Sequence, residues 1–168
     1  SQWLRYTLRI VGARVHLATA PRFEPGRACV VVSNHQSMFD IPFIGEVFAE
    51  REPCYVAKIE LGKFIPGISF SLRNSGDILI DRANSGQALR EIVKLGKRIN
   101  AESTAAVIFP EGTRARDGIL KSFKPAGLTA LLRVVDRPLI YPVTFDGSWL
   151  ISAHARGPIP RGMVVRMK

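Results

Sequence analysis

The sequence predicts an α/β domain: a central, mostly parallel β-sheet flanked by helices, with an amphipathic helix at its N-terminus. Three observations lead there. Apolar, partly β-branched runs such as Ala28-Cys29-Val30-Val31-Val32 and Ala105-Ala106-Val107-Ile108-Phe109 lack polar alternation, so they read as strands buried on both faces. They are interleaved with stretches of helical spacing, the pattern of a parallel sheet joined by crossover helices. Finally, strand after strand closes on a polar or charged turn, and in open α/β sheets ligands bind at that carboxyl edge.

From Trp3 to Val15, the residues Leu4, Leu8, Val11 and Val15 form one helical stripe beside Arg5 and Arg9. Such a helix can lie in a membrane interface or cover one face of the sheet. Residues 1–18 are therefore expected to form an amphipathic, membrane-associating segment and residues 19–168 the α/β domain. The Ala28 strand ends at Ser33-Asn34-His35-Gln36-Ser37, and Phe39, Phe43, Ile44, Val47 and Phe48 continue at helical spacing. A strand over Cys54–Ala57 ends at Lys58, and one over Asp77–Ile80 ends at Asp81-Arg82. Ser85 is expected to cap a helix with Leu89, Ile92, Val93 and Ile99 on its buried face. The Ala105 strand runs into Pro110-Glu111-Gly112-Thr113-Arg114, followed by a basic loop and a helix expected over 126–135. Pro142 in Leu139–Val143 favours an edge strand, because proline donates no ladder hydrogen bond. The terminal Met163–Lys168 run reads as a strand broken off, which suggests a truncated C-terminus.

The 168 residues suit one domain with a sizeable core, and the formal charge of +10 is the outlying quantity. It suggests a phosphate-rich partner: nucleic acid, an anionic membrane surface, or an acidic carrier with a phosphorylated substrate. No apolar run approaches the roughly 18 residues that mark a membrane span. Cys29 and Cys54 lack CxxC spacing and read as reduced structural thiols. The histidines His16, His35 and His154 lie too far apart in sequence to form a zinc-ligand pair.

His35 and Asp40 are the candidate pair for acid–base chemistry. Residues five apart on one straight helix point about 140° away from each other, so the two cannot meet that way. They can meet if His35 belongs to the turn and Asp40 to the first helical turn. Asp40 could then accept the Nδ1 proton, fix the tautomer and leave Nε2 to take a proton from an incoming hydroxyl or thiol. The spacing by itself favours the plainer reading, a capping aspartate beside a solvated histidine.

Four ordered blocks make the pattern specific: Asn34-His35-Gln36-Ser37 with Asp40; Lys58-x-Glu60-Leu61 running to Gly76 and Ile80-Asp81-Arg82; Phe109-Pro110-Glu111-Gly112-Thr113-Arg114; and Pro142-Val143. Together they resemble the four motifs of the glycerolipid acyltransferases, most closely the bacterial lysophosphatidic acid acyltransferases. The resemblance implies a catalytic set of His35 as general base, Asp40 orienting it, and Glu111, the last either in the chemistry or as hydrogen-bonding support for the histidine loop. It implies substrate binding by Lys58, Arg82, Gly112, Thr113 and Arg114, with Arg114 on the acceptor phosphate and Pro142 near the donor site. The implied reaction moves a fatty acyl group from acyl-CoA or acyl carrier protein to the sn-2 hydroxyl of 1-acylglycerol 3-phosphate, at the cytoplasmic face of the cell membrane, without cofactor or metal.

An activated thioester requires a base, positioning and oxyanion stabilisation. Backbone amides in the histidine or Gly112 turn are candidate oxyanion donors, and Phe64, Ile65, Ile68, Phe70 and Leu72 either line an acyl groove or pack the core. Two alternatives remain: an acyltransferase for another lysolipid, such as lyso-ornithine lipid or lysophosphatidylethanolamine, and a non-catalytic basic module for anionic membrane or nucleic acid. Nucleic acid is disfavoured, since aromatics do not interleave with the basic residues as a stacking surface needs.

Overall fold

Val30 and Val31, adjacent in one strand, point to opposite sides of a sheet, and both are fully buried, so the sheet is covered on both faces. The structure, a computed structural model, describes residues 6, 8–10, 12–60, 76–153 and 161–168. Its strands are β1 (Arg14–His16), β2 (Cys29–Ser33), β3 (Cys54–Lys58), β4 (Ile78–Ile80), β5 (Ala105–Ile108), β6 (Leu139–Val143), β7 (Phe145–Asp146) and β8 (Val164–Met167). The helices are α1 (Asp40–Val47), α2 (Ser85–Glu102), α3 (Pro125–Leu132) and α4 (Trp149–Ala153).

The expected central sheet is a five-stranded one in the order β4-β3-β5-β2-β6, with every pairing parallel. Pro142 lies on the outermost strand, β6, as the missing N–H requires. One face packs Val31, Val107 and Val143 against Phe43, Ile44, Val47 and Phe48 of the α1 region. The other packs Val30, Ala106 and Ile108 against Ile92, Leu95 and Ile99 of α2 and Leu131 of α3.

A second, three-stranded sheet, β1-β8-β7, was not anticipated. The terminal run expected as a broken strand is β8, paired parallel to β1 and antiparallel to β7. This corrects the N-terminal stripe: residues 6 and 8–10 are helical, but Gly12 turns the chain at φ +87° and Val15 pairs with Val165 in the sheet. Leu8 is buried, whereas Tyr6 and Ile10 are exposed; Trp3, Leu4, Arg5 and Val11 lie outside the described residues.

Two other expectations shift. Asn84 caps α2, its side-chain oxygen accepting from the Gln87 amide at 2.9 Å, so Ser85 is the first helical residue and not the cap. The buried stripe of α2 is Ile92, Leu95, Gly96 and Ile99, with Leu89 exposed and Val93 only half-buried. Gly96 explains the rotation: a Cβ there would collide with Val134, so the bare backbone is where the segment after α3 approaches closest. Helix α3 starts at Pro125, whose missing N–H is free at a helix start, and ends at Leu132, earlier than expected.

Candidate active site

Parallel strands lie about 4.8 Å apart, so neighbouring strand ends bring residues distant in sequence side by side. Read across the carboxyl edge, β4 precedes Arg82, β3 ends at Lys58, β5 precedes Glu111–Arg114 and β2 precedes His35. All eight residues singled out in the sequence thus lie along one edge or, for Asp40, at the helix that follows it.

His35 is in the turn and Asp40 opens α1, as the spacing required. His35 Nδ1 lies 2.9 Å from Asp40 Oδ2. That oxygen also accepts the backbone N–H of Gln36 at 2.7 Å and of Ser37 at 2.8 Å, while Oδ1 accepts the Ser148 hydroxyl at 2.6 Å. Asp40 is wholly buried, and these donors compensate its removal from water. The alternative of a loosely placed cap beside a solvated histidine is therefore excluded. The imidazole stacks on Phe109 with centroids 4.1 Å apart, which fixes the ring plane. No hydrogen bond from a described residue engages Nε2.

Glu111 is 1 % exposed, and both of its oxygens are occupied. Oε1 accepts the His35 amide at 2.7 Å and Oε2 the Lys121 amide at 2.9 Å. Of the two roles left open for it, the geometry matches support of the histidine loop. The Ala115 amide donates to the His35 carbonyl at 2.7 Å, so the two loops are tied in both directions.

The basic residues form the flank of the edge. Lys58 Nζ pairs with Glu60 Oε1 at 2.8 Å, and that lysine holds the Glu60 carboxyl below its usual value. Partial removal from water depresses the Arg82 guanidinium; Glu60 pulls it back and Arg114 adds to the depression. Arg82 and Arg114 thus feel each other as like charges, an arrangement that an anion between them would relieve. Thr113 is exposed, and Arg114 is half-buried. Gly112 takes φ +66°, which a residue with a Cβ adopts only with strain.

Four of the candidate oxyanion donors are engaged elsewhere. The amides of His35, Gln36 and Ser37 go to Glu111 and Asp40, and the Gly112 amide donates to the Phe109 carbonyl at 3.0 Å. The segment holding Phe64, Ile65, Ile68, Phe70 and Leu72 lies outside the described residues. Conversely, sequence reading missed Ser148, since a serine after Asp146-Gly147 reads as an ordinary turn residue.

The comparisons fit this geometry. The Acyltransferase family model matches residues 14–146. The chain is 35% identical over 133 residues to the human 1-acyl-sn-glycerol-3-phosphate acyltransferase beta, covering 77% of this chain and 47% of that protein. It is 32% identical over 162 residues to the Pseudomonas aeruginosa 1-acyl-sn-glycerol-3-phosphate acyltransferase, covering 93% of this chain and 61% of the relative. Among solved structures it resembles the 1-acyl-sn-glycerophosphate (LPA) acyltransferase of Thermotoga maritima, with a TM-score of 0.64, 29% identity, and coverage of 92% of this chain and 59% of that one. The chain spans about half the length of the curated relatives it matches. With the match running from β1 through β7 and enclosing the histidine turn and the Glu111 loop, the chain belongs to the Acyltransferase family.

Proposed function

We propose that this chain transfers a fatty acyl group from an acyl thioester, of coenzyme A or acyl carrier protein, to the sn-2 hydroxyl of 1-acylglycerol 3-phosphate, forming phosphatidate. The observation that carries the reading is the contact of His35 Nδ1 with the fully buried Asp40 carboxylate at 2.9 Å, beside strand ends bearing Lys58, Arg82 and Arg114. His35 Nε2 takes the hydroxyl proton as the acceptor oxygen attacks the thioester carbonyl. The C–O bond forms, the C–S bond breaks, and the imidazolium returns the proton to the departing thiolate. Asp40 orients the ring and stabilises its positive charge, while Glu111 holds the histidine loop in place. Arg114 and Arg82 take the acceptor phosphate, for which a guanidinium offers a bidentate fork.

The reaction takes place at an anionic membrane surface. The charge of +10 supports this reading, as does the loop after Arg114, where Ile119, Leu120 and Phe123 are exposed between Arg116, Lys121 and Lys124. Apolar side chains interleaved with cations suit a bilayer interface. Among the described residues no helix is long and apolar enough to cross a membrane.

The test is transfer from labelled acyl-CoA, and separately from acyl carrier protein, to lysophosphatidate in vesicles, with glycerol 3-phosphate as competing acceptor. Phosphatidate is expected from the wild type and should fall by about a hundredfold or more in His35→Ala. A folded protein that acylates neither acceptor from either donor would overturn the proposal.

A further inference from the structure

The histidine turn is fastened to the chain between β7 and the end of α4 by a row of polar ties at regular spacing. Asn34 meets the backbone of Phe145 twice, its Oδ1 accepting the Phe145 amide at 2.7 Å and its Nδ2 donating to the Phe145 carbonyl at 2.9 Å. Three residues on, the Ser37 hydroxyl lies 2.8 Å from that of Ser152. Three further on, Asp40 Oδ1 accepts from Ser148. Only the last tie reaches the acid of the dyad.

Ser148 is placed with little freedom. It is fully buried, and it follows Gly147 at φ +80°, where an added Cβ would run into the Val164 carbonyl of β8. Its carbonyl accepts the Ile151 amide at 3.2 Å, which starts the turn of α4. A hydroxyl has one proton, and the carboxylate at 2.6 Å takes it ahead of Gln36 Oε1 at 3.3 Å. Among the described residues, Ser148 is the donor to Oδ1, whereas Oδ2 has three.

We propose that Ser148 is a positioning residue of the dyad, its hydroxyl fixing the rotation of the Asp40 carboxylate and drawing off part of the negative charge that faces His35. The turn that follows β7 of the second sheet thereby contributes one side chain to the reacting centre. Without that proton Oδ1 is left bare in a buried site, and the His35–Asp40 pair as a unit binds a proton more tightly, wherever that proton resides. Among the described residues, other titratable groups lie on the elements around the pair. On the β5 loop Glu111 holds the His35 amide, with Arg114, Arg116 and Lys121 further along it. On the β7 side Asp146 pairs with Arg166 at 3.5 Å, and α1 adds Glu46 beyond Asp40.

The inference rests on His35 acting as the base, and its test separates the two. The His35 ring is titrated by NMR in the intact protein without substrate, its signal assigned by its loss in His35→Ala, and the pH profile of kcat/KM for acyl transfer is measured alongside. In Ser148→Ala and Ser148→Cys the His35 midpoint should rise by about half to one pH unit. The acid limb of the profile should follow it, and kcat should fall by about ten- to a hundredfold with the KM for acceptor little changed. Ser148→Thr, which keeps the hydroxyl, should restore both. Ser148→Cys keeps the volume and offers a weaker donor, so it carries the test if Ser148→Ala does not fold. A folded Ser148→Cys protein with the wild-type midpoint and wild-type kcat would overturn the inference. A raised midpoint in a protein that transfers no acyl group would support the inference and overturn the reaction proposed above.

Discussion

Asp40 is a residue whose charge, rather than shape, is used. Its two oxygens receive only donors: a ring nitrogen, two backbone amides and a hydroxyl. An asparagine would fit the space, its NH2 donating to Ser148 Oγ while that hydroxyl turns toward Gln36 Oε1, but the neutral side chain no longer stabilises the positive charge that His35 gains. Asp40→Asn is therefore expected to remain folded while kcat falls by about a thousandfold or more. Acyl-transfer assays beside circular dichroism check this, and a folded variant with near wild-type kcat would contradict the charge argument. The cysteines differ: Cys29 and Cys54 are thiols whose burial pushes their pKa values up, away from the reactive range.

At the scale of elements, the site is two loops at the ends of adjacent strands, β2 and β5, joined through Glu111. The carboxylate accepts one amide from each loop, replacing the backbone pairing that stops where the strands end. In Glu111→Gln one amide N–H must point at the side chain's own NH2, which leaves a buried donor unsatisfied. The expected loss is about 1–3 kcal/mol of unfolding free energy, with lower kcat because the His35 backbone loses its anchor. His35→Ala should lower kcat without that loss of stability, since its ring is held by stacking and one hydrogen bond at the edge of the core. Urea denaturation of both variants separates them. Equal stability of Glu111→Gln and wild type would sink the tethering role.

At the scale of the molecule, the described residues form two sheets and two apolar clusters, and ionisable groups withdrawn from water tie stability to pH. Burial, with Asp77 and Cys54 nearby, raises the Tyr55 phenol well above its usual value of 10.0. The unfolded phenol ionises near pH 10 and the folded one does not, so this contribution is complete below pH 10 and is lost as pH rises beyond it. Urea midpoints followed from about pH 8 to about pH 11 should therefore fall less steeply in Tyr55→Phe than in wild type. That variant also loses the bond from the phenol to the Ile41 carbonyl at 2.8 Å, which lowers the midpoint at every pH. Parallel slopes would count against the argument. The raised thiols add their own alkaline decline in both proteins.

Much of this was readable along the chain because it depends on local pattern. The apolar runs of β2 and β5, the edge proline of β6, and the turn-then-helix placement of His35 and Asp40 follow from periodicity and from the reach of residues five apart. The motif blocks likewise lie at strand ends that the parallel sheet brings side by side. What tertiary packing decided lies where contacts join distant segments. Asp40 meets Ser148 across 108 positions, and nothing near either residue signals the other. The two oxygens of Glu111 have a backbone role because the β2 and β5 loops close over it. The apolar stripe of α2 is turned toward Gly96 by what approaches it, and Val15 is drawn out of a helical pattern by the pairing of β1 with β8. Periodicity specifies that a side chain is buried; only the packing of remote elements specifies against what.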